Sequence, residues 1–262
     1  MHARKPDLDF SRSLPHWARS REFSHMFNGI SIVIMELEPF LNRVMRKARE
    51  ALPESDSFRM DMSTFVRQEA NHTMLHGSYN QALYGAGYAA LTAVGESLRQ
   101  DYARYLHDWP LRDQLAYCEG FESLGPIWAE FLFEGADDLL AGADPAVVNL
   151  WKWHLAEEFE HRMVAYTAYH RFGGRWLHRL RFTMSTHRHL EKHIRMAEAI
   201  MLNEDWKHMS PAEVEASRQK SERMHQRLNR FISRRLWRLA LPGYSPERIR
   251  MPNGIDHYLR LT

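Results

Sequence analysis

The feature that most constrains this chain is a stripe of three residues, His154, Glu158 and His161, inside the segment WHLAEEFEHRMVAY. The spacings x3 and x2 place all three within about 60° of arc on an α-helix, one above another. A second stretch, FVRQEANHTMLH, puts Glu69 and His72 on a common face beside Phe65, Val66 and Leu75. That face points inward, where an ionised carboxylate is costly unless it is paired or bound to metal. Both segments must therefore be helices, and their ligand-type stripes read as the two halves of one dinuclear metal site.

Glu-x-x-His also recurs at Glu22/His25 and Glu222/His225, so order along the chain has to separate signal from coincidence. A ferritin-like di-iron bundle takes a Glu from one helix, Glu-x-x-His from the next, a Glu from a third and Glu-x-x-His from a fourth. The chain supplies that order once: Glu36 or Glu38, then Glu69/His72, Glu119 or Glu122, and Glu158/His161. The two remaining pairs lack this company and read as surface pairs.

Glu38 continues the face of Ile34, Leu41 and Met45, whereas Glu36 shares its face with Arg43 and Lys47, so Glu38 is the better ligand. Glu119 and Glu122 lie on one stripe. Pro126 cannot donate to the carbonyl of Glu122 and should kink the helix there. Glu122 is taken as the ligand, with Glu119 as a bridging or proton-handling catalytic group. His76 shares the face of Glu69 and His72 and reads as a core histidine, with a supporting or ligand role as the alternative. Glu157 and Glu160 sit about 100° off the ligand stripe and should stay out of direct contact with metal.

Helical periodicity dominates the chain, and alternating β-branched runs bounded by hairpin turns are missing. The fold class is all-α: a ferritin-like four-helix bundle with additional C-terminal helices. Helices are predicted over about 20–50, 62–84, 87–107, 110–141, 145–171, 175–205 and 211–240 from the Pro, Gly and Ser punctuation between them. The 262 residues divide into a metal-binding bundle, 1–174, and a basic helical extension, 175–262, packed on it as one domain overall. Residues 175–238 carry 15 Arg and Lys against 7 Asp and Glu. This stretch reads as an outer helical pair whose Arg face meets water, with peripheral contact to an anionic membrane as the alternative.

The net charge of +2 and the lack of a nucleic-acid module argue against a nucleic-acid partner. A single cysteine, Cys118, excludes an intramolecular disulfide and a thiolate zinc cluster. The apolar stretch from Ile30 to Leu41 is too short and too interrupted for a membrane span, so a cytoplasmic location is expected.

Four Glu carboxylates balance two divalent ions, and oxygen plus imidazole donors without thiolate suit two Fe ions (Fe2+/Fe3+), with Mn or Zn as alternatives. At FVRQEANHTMLHGSYN, WHLAEEFEHRMVAY and Glu122 followed by SLGPIWAE, the chain resembles the bacterial predicted metal-dependent hydrolases, whose ferritin-like bundle is expected to be dinuclear. The resemblance covers about residues 25–170. In place of that family's usual Gly-Glu-x-Phe-Phe the chain reads Leu37-Glu38-Pro39-Phe40-Leu41. The spacing His154-x3-Glu158-x2-His161 is similar to that of the di-iron arylamine N-oxygenases, which implies His154 as a seventh protein ligand.

The function expected from this ligand set is a non-haem di-iron oxygenase. It would use O2 to hydroxylate, N-oxygenate or desaturate a small-molecule substrate. The chain shows no flavin or nicotinamide fingerprint, so electrons would come from an external donor. The alternatives are a dinuclear metal-dependent hydrolase and a non-catalytic metal-binding protein. Pairing of two copies as a homodimer is the remaining partner expectation.

Overall fold

A computed structural model describes residues 1–260. Four helices form its centre: α1 (Arg21–Glu50), α2 (Phe58–Gly85), α4 (Leu111–Glu122) and α7 (Pro145–Arg171). Helix α1 packs on α2 and α4, and α7 packs on the same two, so the four close a ring. The crossover between α2 and α4 is a single 3-10 turn, Ala89–Leu91, followed by α3 (Thr92–Asp108), which lies against α1. One long crossover of this kind is what ferritin-like bundles use. Among the described residues there is no strand.

The helix starts follow local chemistry. Ser20 caps α1 by accepting from the Phe23 N–H, and Asp144 caps α7 with Pro145 in its first turn. The predicted helix over 110–141 is instead three: α4, α5 (Gly125–Glu134) and α6 (Asp137–Leu140). The break at Ser123-Leu124 comes where Pro126 would have had to donate to the Glu122 carbonyl, so the helix restarts with Pro126 in its first turn. Glu122 is thus the last residue of its helix. Helix α1, by contrast, runs on through Pro39.

The basic extension forms α8 (Trp176–Trp206) and α9 (Pro211–Leu239), and a short α10 (Ile255–Leu259) packs on α7. Helix α8 lies along α1 and α4, and α9 touches α1 and α5. A capping box between Ser210 and Glu213 starts α9. Apolar residues Leu190, Ala197 and Met201 of α8 and Leu228 and Ile232 of α9 are buried on the bundle, and the Arg-rich faces remain exposed. No helix among the described residues is long and apolar enough to cross a membrane.

Candidate metal centre

Seven ionisable side chains converge in the middle of the ring: Glu38 from α1, Glu69 and His72 from α2, Glu122 from α4, and His154, Glu158 and His161 from α7. Each is at most 2% exposed. Six of them form two overlapping groups, Glu38/His72/His154/Glu158 and Glu69/His72/Glu158/His161, whose ligand-type atoms lie within 4.8 Å of one another in each group. His72 and Glu158 belong to both. His72 Nδ1 stands 3.7 Å from Glu38 Oε1, 3.8 Å from Glu69 Oε2 and 3.7 Å from Glu158 Oε1. Glu122 Oε2 joins the second group at 3.1 Å from His161 Nδ1, and His154 Nε2 is 3.4 Å from Glu158 Oε1.

These groups leave many polar atoms unpaired. Glu38 Oε1, Glu122 Oε1, both oxygens of Glu69 and of Glu158, His72 Nδ1 and His161 Nε2 have no hydrogen-bond partner among the described residues. A buried carboxylate without donors costs several kcal/mol, of order ~1–3 kcal/mol per unsatisfied atom and more when charged. Burial, and then repulsion from neighbouring carboxylates, pushes Glu38, Glu122 and Glu158 well above the ordinary carboxylate range. Two divalent cations would remove both penalties at once, since four carboxylates would cancel their charge and the unpaired atoms would become ligands. The donor chemistry therefore fits a dinuclear site of hard or borderline metals.

The surrounding residues orient these candidate ligands. His72 Nε2 is bonded to Glu157 Oε2 at 3.1 Å, which leaves Nδ1 to face the cluster. Burial alone would lower the His72 pKa, but the bond to Glu157 and the charges of Glu69 and Glu38 hold it well above its usual value. Glu157 is in turn bonded by the Arg4 backbone N–H at 3.0 Å and the Arg4 guanidinium at 3.1 Å. Such a carboxylate–histidine pair raises ligand basicity and fixes the tautomer. Glu157→Gln is expected to weaken metal binding about 10- to 100-fold, as measured by competition with a metal indicator; an unchanged affinity would leave Glu157 with a packing role only.

A parallel relay supports His154. His154 Nδ1 lies 3.2 Å from His76 Nε2, His76 Nδ1 lies 2.9 Å from Ser31 Oγ, and Ser31 donates to Asn80 Oδ1 at 2.7 Å. With His154 donating from Nδ1, every link has a donor and an acceptor, and Nε2 is free to face Glu158 as a ligand. Burial first, then the nearby His72 charge, keeps His76 and His154 well below the usual histidine range, in the neutral form a ligand needs. Gly125 also matters locally: a Cβ there would stand 3.0 Å from Glu158 Oε2 and 3.2 Å from its Cβ, so a larger residue would have to displace that carboxylate.

Other sequence-based expectations find different places. Glu119 is not gathered into either group; its Oε1 pairs with Arg179 Nη1 at 3.2 Å. Burial, opposed by Arg179, raises its pKa to about 7. Glu36 is paired with Arg99 outside the core, as its basic face suggested. Glu22 and His25 are not a surface pair: both are buried, with Glu22 accepting from Ser217 and His25 bonded to Asp205. Glu222 is exposed, and His225 pairs with Glu198 instead. Glu157 and Glu160 do stay off the cluster, but Glu157 is buried as the His72 partner, which its angular offset alone did not reveal.

A helical bundle whose four central helices each contribute carboxylates to one buried Glu/His cluster defines a class of candidate dinuclear metalloproteins. The profile of the predicted metal-dependent hydrolases matches residues 2–249, and the chain belongs to that family. No curated protein and no solved structure matches it.

Proposed function

We propose that the protein is a dinuclear non-haem iron oxygenase. The observation that carries this reading is the set of unpaired carboxylate and imidazole atoms lying at the end of an apolar cavity, which His154 and Glu158 both line. When bound, a pair of iron(II) ions would supply the electrons that reduce O2 next to a substrate. For hydroxylation, one oxygen atom enters a C–H bond and the other leaves as water, using two electrons and two protons from an external donor.

The chain's own residues have definite tasks in this scheme. Glu38, Glu69, His72, Glu122, His154, Glu158 and His161 would hold the ions, Glu158 being common to both groups of ligand-type atoms. Glu157 fixes the His72 tautomer, and the His76–Ser31–Asn80 relay fixes that of His154. Phe65 packs edge-on against His161 and Trp153 against His72, each with ring centroids 4.8 Å apart. These contacts exclude water and limit rotation of the ligands.

Hydrolysis is the second reading, favoured by the description of the family. With redox-inactive ions the same pair would polarise a carbonyl or phosphoryl oxygen and activate water. The test is anaerobic loading with Fe(II) followed by exposure to O2 in a stopped-flow spectrophotometer. A visible transient with O2 uptake at two irons per chain supports the oxygenase. Absence of both, together with turnover of nitrophenyl esters by the zinc form, would replace it with the hydrolase.

His154→Ala is expected to retain two ions per chain yet slow O2 uptake by roughly tenfold or more, since it removes the imidazole between cluster and cavity. Wild-type kinetics in that variant would return His154 to a packing role.

A further inference from the structure

Helices α8 and α9 do more than cover the bundle. With α1, α5 and α7 they enclose a cavity of about 90 Å³ that leads to His154 and Glu158. Its inner walls are apolar, from Phe27, Ile34 and Leu37 of α1, Trp128 of α5, and Leu190 and Leu228 of the two outer helices.

Apart from His154 and Glu158, the polar residues that line it are partly or fully exposed, and the charged ones are already paired. Glu191 Oε1 is held by Arg195 Nη2 at 2.8 Å, and His225 Nε2 bonds Glu198 at 2.7 Å. The mouth therefore offers no uncommitted charge to an ionic headgroup. Inside, an anion would meet a cluster already rich in carboxylates, and either ion would give up its hydration against apolar walls.

We propose that this cavity binds a neutral hydrocarbon-type substrate, such as an alkane, alkene or aliphatic alcohol, that enters between α8 and α9 with its apolar end directed at His154 and Glu158. The cavity opens at the outer helices, so a chain longer than its inner volume extends toward the mouth while its apolar part meets the buried walls. Apolar contact supplies the affinity, and the lack of an uncommitted charge at the mouth supplies the selection against ions. The orientation toward the cluster rests on the metal reading above, whereas the preference for a neutral chain does not.

The experiment is calorimetric titration of the full chain with 1-octanol, octanoate and octylammonium, in metal-free and zinc-loaded forms. One 1-octanol should bind per chain, at least about tenfold more tightly than either ion, a difference of about 1.4 kcal/mol. Its heat capacity of binding should be negative. Asn229→Trp, at an exposed position on the rim, should weaken 1-octanol by about tenfold or more while leaving zinc content unchanged.

Equal or tighter binding of either ion, no binding of 1-octanol, or an unaffected Asn229→Trp variant would overturn the proposal. Loading with cobalt(II) should broaden the octanol methyl proton resonance more than the carbinol one, and the reverse order would overturn the orientation. If 1-octanol binds as described but fewer than two metals load, the cavity assignment stands and the oxygenase reading fails.

Discussion

Glu158→Ala is expected to reduce tightly bound metal from two ions per chain to none, as counted by elemental analysis after desalting. Glu158 is the carboxylate common to both groups of ligand atoms, and neither of its oxygens has a hydrogen-bond partner among the described residues. Loss of the shared ligand should therefore empty both positions. His161→Ala should behave likewise, whereas Glu22→Ala and His225→Ala should keep two ions, because those residues lie in other networks. The metal-free Glu158→Ala protein should be as stable as the metal-free parent or more so, since the substitution deletes a buried, unpaired carboxylate. Two ions retained in Glu158→Ala would remove the assignment.

The second large effect is thermal. Two ions, each present at about a thousandfold excess over its dissociation constant, stabilise the fold by about 8 kcal/mol through mass action. At roughly 2–4 °C per kcal/mol for a chain of this size, the melting temperature should rise on the order of 20 °C.

The gain should also grow with pH. The carboxyls of Glu38, Glu122 and Glu158 have folded-state pKa values above their ordinary ones. Their metal-free contribution is therefore fully present below about pH 4.5 and is lost as pH rises through the elevated values. Metal binding displaces those protons and the one held on His72, so it is opposed by acid and favoured toward neutrality. Differential scanning calorimetry with and without Fe(II) or Zn(II), from mild acid to neutral pH, measures both effects. A metal-induced shift that is small, or that shrinks as pH rises, would contradict this account.

The convergence of these side chains was legible because helical spacing is rigid: Glu69/His72 and His154/Glu158/His161 could reach one point only if their helices faced each other. Glu38 was separable from Glu36 by the company on its face, and the structure pairs Glu36 with Arg99. Glu119 was harder to assign. It sits one turn from Glu122 on the same stripe, but the partner that takes its charge, Arg179, comes from α8, 60 residues on. The same applies to Glu157, whose partner Arg4 is 153 residues away. His25, read as a surface residue, is buried by contact with Asp205, 180 residues distant.

Local periodicity tells which way a side chain points, but not what distant segment meets it. The Ser31–His76–His154 relay was missed for that reason, although His76 was visible on the ligand face. The break before Gly125-Pro126 was half legible. Proline announced a distortion beside Glu122, but a kink and a full restart begin from the same missing N–H. The basic stretch announced two outer helices; only their packing shows that α8 and α9 also form the walls of a cavity.

The most direct test of the central claim is anomalous diffraction at the iron edge from crystals loaded anaerobically with Fe(II). Two peaks about 3.5–4 Å apart, between Glu38/His72/His154 on one side and Glu69/Glu122/His161 on the other, with Glu158 reaching both, are the expected result. One peak alone, or iron confined to the His16/His25/Asp205 or Asp101/His189/His193 groups, would contradict it.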